Sequence, residues 1–299
     1  MILYYALGGG LGHLTRAQRV LSALGLTDRA ALLTSSRFAR DERVVGELPV
    51  IEVPTGLGRD RAAFQRWLLE TLRALAPEEL IVDAFPGGIL GELCELELPP
   101  ARYVARRLRW PAYRRRLPGR LPRYELAHAL EPLVSAHALA LEACASRVEA
   151  LDLVGPDAGE PLLDRPHTLV VHSGPDDEVA ALAEYARELE PSCPLLVITP
   201  RRPAWLPARA VWHDVYPAAP HMPFAELVVT AAGFNALHDV GAASERHRVI
   251  PFPRPLDDQF ARARYVRTSE PKLTTWSLGS SPPLPSGPSA RRSSLGAAS

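Results

Sequence analysis

The sequence predicts an α/β protein built from two parallel-sheet units in series, each with helices on both faces of its sheet. Three observations predict it. Short apolar runs alternate with helical stretches, the pattern of repeated strand–helix–strand units. The alternation breaks once, at Leu153, Val154, Gly155 and Pro156, and restarts at His167 after a polar stretch. In each half an apolar strand also runs straight into a glycine turn and a helix, at residues 2–16 and again at 230–239.

The elements follow from this pattern in chain order. In the first half, apolar runs predict strands at residues 2–7, 30–34, 50–53, 80–83, 102–105 and 137–141. Helices are expected between them at 14–24, 61–75 and 89–94. In the second half, residues 167–174 are expected to form a strand ending in a small-residue loop, followed by strands at 195–199, 208–212, 227–230 and 248–251 and helices at 176–188 and 234–243. The chain therefore divides into a first Rossmann-like domain at 1–155, a linker at 156–166 and a second Rossmann-like domain at 167–268. Residues 269–299 are rich in Ser, Pro and Gly and lack periodicity, which predicts a disordered tail. Ligands of such sheets bind beyond the carboxyl ends of the strands, so the expected site is a cleft between the halves.

Composition excludes several function classes. The 299 residues are 47% hydrophobic and 23% charged with net charge zero, so no global field draws nucleic acid or membranes. Lys272 is the single lysine, and the cationic charge is carried by arginine. Cys94, Cys144 and Cys193 are far apart and form no C-x-x-C, and the nine histidines form no metal-binding motif. Neither a metal nor a cofactor is expected. No basic region precedes the first apolar residues and no apolar run reaches the ~18 residues of a membrane span, which makes a cytoplasmic protein the expectation.

The first glycine turn carries Gly8, Gly9, Gly10 and Gly12, with His13, Thr15 and Arg16 in the first turns of the helix. Glycines let the backbone approach a ligand, and a helix start offers free N–H groups. The dinucleotide fingerprint begun at Gly8 requires a glycine where His13 stands, and the phosphate-loop pattern fails at the same residue. His13 adds a group able to move protons near neutral pH. A turn serving only tight strand–helix packing, with a histidine capping the helix, is the plainer alternative.

In the second half Gly233 opens a helix with Asn235 in its first turn and Asp239 one turn later. Such a turn suits a diphosphate, and the acid suits ribose hydroxyls. A proline-fixed loop then delivers Asp257, Asp258 and Gln259 to another helix, where Asp258 also fits a plain cap. Asp83, at the end of a strand, is a second proton-handling candidate expected to face the cleft, with capping of the following turn as its alternative. The segment from Arg102 to Arg116 sets arginines beside Trp110 and Tyr113. It fits either a solvated loop or a surface that docks an anionic membrane or an acidic acceptor.

Taken in order, Gly8 to His13, Ser173-Gly174, Gly233 to Asp239, and Pro253 to Asp258-Gln259 resemble GT-B glycosyltransferases of the MurG-like type (glycosyltransferase family 28), over roughly residues 1–267. The resemblance implies that Gly10, Gly12 and His13 line the acceptor side and the reacting centre. It implies that Ser173, Gly174, Gly233 and Asn235 lie at the donor diphosphate, Asp239 at the ribose and Gln259 at the donor sugar. Two positions depart from the family: Asp239 stands where Glu is usual, and Arg262 where MurG-like enzymes carry Asn.

The expected chemistry is metal-independent transfer of a sugar from a nucleotide-diphosphate donor, expected to be uridine-linked, to a hydroxyl acceptor, with His13 and Asp83 as the catalytic candidates. The acceptor is unidentified; a lipid- or membrane-associated one would place the protein at the inner face of the membrane. No nucleic-acid partner is expected. Gly10, Gly12, His13 and Arg16 also resemble the Gly-Leu-Gly-His-x-x-Arg pattern of nucleotide-sugar hydrolases, in which water replaces the acceptor. A degenerate protein that binds nucleotide-sugars or a partner without turnover is the third reading.

Overall fold

Alternation along the first strand sorts its side chains onto two cores. In β1 (Ile2–Ala6), Leu3 and Tyr5 enter one core, while Ile2, Tyr4 and Ala6 enter the other. A strand buried on both faces belongs inside a parallel sheet covered by helices on each side. The computed structural model, which describes residues 1–155 and 157–268, has this architecture twice.

In the first half the elements run β1, α1 (Leu11–Ala23), β2 (Ala30–Thr34), α2 (Glu42–Val45), β3 (Val50–Glu52), α3 (Arg61–Leu75) and β4 (Glu79–Asp83). They continue with β5 (Ala101–Ala105), α4 (Trp110–Arg114), β6 (Leu126–Ala129), α5 (Ser135–Cys144) and β7 (Val148–Ala150). The seven strands form one parallel sheet in the order β3-β2-β1-β4-β5-β6-β7. Helix α3 starts at Asp60, whose side chain accepts the Ala63 N–H, and buries Phe64, Leu68 and Leu72 on one sheet face. Helix α1 buries Leu14, Ala17, Val20 and Leu21 on the other.

The second half runs β8 (Thr168–Val171), α6 (Asp176–Leu189), β9 (Leu195–Ile198), β10 (Val211–His213), β11 (Leu227–Ala231), α7 (Phe234–Asp239), β12 (His247–Ile250) and α8 (Gln259–Thr268). Its five strands are parallel in the order β10-β9-β8-β11-β12. Strand order reverses between β1 and β4 in the first sheet and between β8 and β11 in the second. Loops leaving such neighbours in opposite directions open a crevice at the carboxyl end of the sheet.

Two expected elements are corrected. Residues 137–141 are not a strand but part of α5: His137, Leu141 and Cys144 are its buried residues, spaced for a helix, in a run of helix-favouring Ala and Leu. Residues 89–94 are not a helix. There the chain turns around the buried Glu92, whose carboxylate accepts the Ile89 and Leu90 N–H groups and the Tyr5 hydroxyl. Gly88 and Gly91 take positive φ, and a Cβ on Gly88 would lie 2.2 Å from Glu92. The helix expected at 234–243 ends as an α-helix at Asp239, and Gly241–Arg246 continue as a 3-10 turn. The tail expected at 269–299 lies outside the described residues.

The last helix binds the two halves together. Arg262 of α8 donates to Glu131 Oε1 at 2.8 Å and Oε2 at 2.9 Å, to Asp257 Oδ1 at 3.0 Å and to the Ala232 carbonyl at 3.0 Å. Arg106, after β5, pairs with the same Asp257, and the Arg109 N–H donates to the Leu256 carbonyl at 2.8 Å. Arg262 thus has a structural occupation, as the clamp between α8 and the first half.

Candidate active site

The first reversal point places a histidine over a carboxylate. Gly8, just past β1, has φ +149°, and a Cβ there would lie 2.3 Å from His13 Cδ2, so the ring packs where only glycine leaves room. Asp83 closes β4, the strand paired with β1. The next residue, Ala84, is held at φ +63° by bonds from its N–H to the Val104 carbonyl (2.9 Å) and from the Tyr103 hydroxyl to its own carbonyl (2.8 Å). A side-chain-bearing residue in that region stores strain, a feature concentrated at functional sites.

Helix α1 brings His13 and Arg16 to Asp83 because residues three apart share a helix face. His13 Nδ1 lies 2.6 Å from Asp83 Oδ2. Arg16 donates from Nε to Oδ1 at 2.6 Å and from Nη2 to Oδ2 at 2.5 Å, and the Tyr4 hydroxyl donates to Oδ1 at 3.2 Å. Burial alone would raise the Asp83 pKa, but the Arg16 charge and the hydrogen bond from His13 outweigh it and hold the carboxyl well below the usual range. An ionised Asp83 can only accept, so Nδ1 of His13 carries the hydrogen and Nε2 the lone pair. Burial pushes the His13 pKa below its ordinary value, against the pull of Asp83, so the imidazole is neutral at pH 7. Asp83 itself does not face the cleft as expected: its side chain is 0% exposed, behind His13.

Both reversal points open on one cavity of about 890 Å³ lined by each half. Gly10, Gly12 and His13 border it from the first half; Ser173, Gly174, Gly233, Asn235, Asp239 and Gln259 border it from the second. The structure thus places these nine expected residues on one wall or the other and leaves Asp83 behind His13. Three helix starts border the cavity from the second half, and that of α8 is capped by Asp258, whose Oδ1 accepts the Ala261 N–H at 3.0 Å. The first turn of α6 carries Asp176, Asp177 and Glu178, which already occupy its positive dipole end. The first turn of α7 carries no acid, and its cap Gly233 has open space where a Cβ would be. Among the helix starts bordering the second-half wall, the one at Gly233 is open to an anion.

Three of the expected donor residues already have partners. Asp239 pairs with Arg19 of α1, Asn235 Nδ2 donates to the Gly12 carbonyl at 2.9 Å, and Gln259 Oε1 accepts the Phe252 N–H at 2.9 Å. Tyr216 also donates to Thr15 Oγ1 at 2.9 Å. Gly12, Thr15 and Arg19 lie along one stripe of α1, so this helix docks on the second half through a polar seam. The cavity carboxylates Asp41, Asp176, Asp214, Asp239 and Asp257 are each paired with arginine.

Several lining residues were not among the sequence candidates. Arg16 had a signal, the His-x-x-Arg spacing. Arg37 donates to the Ser173 carbonyl across the cleft at 3.3 Å. His172, at the end of β8, bonds Glu178 at 2.7 Å, and Glu178 is in turn held by Arg254. A further correction concerns Trp110 and Tyr113: both are buried, Trp110 stacked on His137 at 4.2 Å, so neither is a surface anchor. Among the described residues no group of His, Cys, Asp and Glu gathers as a metal site, and no helix is long and apolar enough to cross a membrane.

No protein-family profile and no curated protein matches the chain. Solved structures do. The glycosyltransferase SnogD from Streptomyces nogalater superposes with a TM-score of 0.55 at 19% identity, covering 85% of this chain and 82% of that one. The fold is GT-B. The spinosyn forosaminyltransferase SpnP gives 0.58 at 12% identity, over 92% of this chain and 86% of its own. The spinosyn rhamnosyltransferase SpnG, complexed with thymidine diphosphate, gives 0.55 at 16% identity, over 88% and 83%. In this chain the GT-B cleft is the cavity between the two reversal points.

Proposed function

We propose that this protein is a glycosyltransferase that moves a sugar from a nucleoside-diphosphate donor to a hydroxyl acceptor, with His13 as general base. The observation that carries the reading is the His13–Asp83 pair at 2.6 Å on the wall of the interdomain cavity. Nε2 of His13 takes the acceptor hydroxyl proton as its oxygen bonds to the anomeric carbon. The bond from that carbon to the diphosphate oxygen breaks, and the nucleoside diphosphate leaves with the bonding pair. Asp83 orients the imidazole and stabilises the imidazolium that forms. Being buried and clamped, Asp83 is not a nucleophile, and the arrangement fits one displacement.

The donor sits against the second half. Gly233 and the open start of α7 receive the diphosphate, with Ser173 and Gly174 on its other side and the cavity arginine Arg37 supplying positive charge. Asp239 takes the ribose hydroxyls once released from Arg19, and Gln259 reaches the donor sugar. Gly10 and Gly12 form the acceptor-side wall. The donor nucleoside is uridine, in keeping with the resemblance to the MurG-like enzymes, whose motif order is the pattern for these roles. Incubation with uridine-, thymidine- and guanosine-diphosphate sugars, with and without hydroxyl acceptors, tests the reading through nucleotide release.

One second reading has a specific observation behind it. Arg16, the last member of the hydrolase-like Gly-Leu-Gly-His-x-x-Arg pattern, is built into the dyad. Under that reading water takes the place of the acceptor. Release of nucleotide at an undiminished rate without any acceptor would favour it.

A further inference from the structure

The Asp83 carboxylate is fully subscribed. Oδ1 accepts from Arg16 Nε and the Tyr4 hydroxyl, and Oδ2 from Arg16 Nη2 and His13 Nδ1. Two parallel N–H···O bonds from one guanidinium fix a carboxylate in plane as well as in place. Arg16 is 3% exposed, so this fork is shielded from competing water. Its Nη2 also lies 3.1 Å from His13 Nδ1, but that nitrogen's hydrogen is committed to Asp83, so Arg16 acts on the imidazole through the carboxylate.

We propose that Arg16 is a positioning residue for His13: its fork holds Asp83 in the orientation from which Oδ2 accepts the Nδ1 hydrogen, and its charge balances the carboxylate beside the imidazole. This rests on His13 being the base. A buried carboxylate alone would favour the imidazolium and raise the pH at which a neighbouring histidine protonates. A carboxylate neutralised by arginine orients the ring without that bias. The charged groups facing His13 are Asp83 from β4, Arg16 from its own helix and Arg106 from the segment after β5. Tyr4 and Asp257 in turn face Arg16, and Asp257 pairs with Arg106. The free base consequently persists into mildly acidic solution. The guanidinium also lies 5.7 Å from the ring of Phe234, the first residue of α7, so the clamp abuts the donor-side wall.

The test is NMR of the full chain with labelled histidine, His13 being assigned through His13→Gln. In the unaltered protein the Nδ1–H tautomer and a titration midpoint below 6.5 are expected. Arg16→Gln, which removes the charge, should raise the midpoint by about one pH unit or more. Arg16→Lys keeps the charge but loses the fork; it should leave the midpoint within about half a unit while turnover falls about tenfold or more. An unchanged midpoint in Arg16→Gln overturns the proposal. Should that variant not fold, the unaltered protein decides: an Nε2–H tautomer, or a midpoint at or above 6.5, overturns it equally. The tautomer and the midpoints need no substrate, so absence of turnover would sink the proposed function and leave the assignment of Arg16 to be judged on them.

Discussion

His13 and Asp83, seventy residues apart in sequence, meet at 2.6 Å because β1 and β4 are neighbours where the first sheet reverses its order. The base stands on a helix and its orienting carboxylate at a strand end, both rigid elements. Removing the imidazole should therefore cost proton transfer and little else. His13→Ala is expected to lower turnover by about 10²–10⁴-fold while nucleotide affinity stays within about twofold. Calorimetric titration alongside nucleotide release separates the two; a loss of both would place His13 in donor binding instead.

Gly8 offers a way to disturb the same residue without touching it. A methyl group at Gly8 would stand 2.3 Å from His13 Cδ2 and would put a side chain at φ +149°. Gly8→Ala should displace the ring and reduce turnover nearly as far as His13→Ala does. Retention of full activity would show that the ring need not rest on Gly8.

Arg262 should matter to stability. It joins α8 to Glu131 and Asp257 in a buried network, and breaking one member leaves charges without partners. Arg262→Ala is expected to cost about 3–5 kcal/mol in urea denaturation. An unchanged midpoint would mean that α8 contributes little to the fold.

Acid should weaken the protein before Asp83, Glu131 and Asp257 protonate. Burial pushes His137 down to about 3 and His247 down to about 4, whereas both protonate near 6.5 once unfolded. The unfolded state binds more protons in that window, so stability falls as pH drops from about 6.5 toward 4. Asp83, Glu131 and Asp257 are held below their ordinary values by arginine, despite burial. Their stabilisation is complete above about pH 4.5 and is lost only below it. His247 bonds Thr230 Oγ1 at 2.8 Å, and its share of the loss is on the order of 2–3 kcal/mol by pH 4. Urea denaturation at stepped pH should show a shallower slope for His247→Gln; an identical slope would assign the acid sensitivity elsewhere.

The seam along α1 bears on donor binding. If Asp239 serves the ribose, Arg19 competes with the nucleotide for it. Arg19→Ala should then bind uridine diphosphate several-fold more tightly, and Asp239→Ala about tenfold more weakly. Weaker binding in both variants would mean that the Arg19–Asp239 pair builds the closed cleft and that the ribose is held by other groups.

The sequence announced the architecture because burial on both faces leaves near-continuous apolar runs such as Leu3 to Leu7, and because glycine turns mark strand ends. It failed where two periods coincide: His137, Leu139 and Leu141 alternate like a strand, yet burial follows His137, Leu141 and Cys144. It failed also where one buried group organises a loop, as Glu92 does. In the site, His13, Gly233 and Asp239 stood out because their motifs are local. Arg106, His172 and Arg254 did not, since their meaning arises from partners brought near by the fold: Asp257, 151 residues from Arg106, and Glu178, 76 residues from Arg254. His172 and Glu178 are only six apart, but nothing local marked them as a pair facing the cleft.

Nucleotide release from a panel of uridine-, thymidine- and guanosine-diphosphate sugars tests the central claim most directly, with the unaltered protein and His13→Ala run side by side. Acceptor-dependent release by the unaltered protein, reduced at least a hundredfold in His13→Ala, is the predicted result. Equal release by the two proteins would contradict the account.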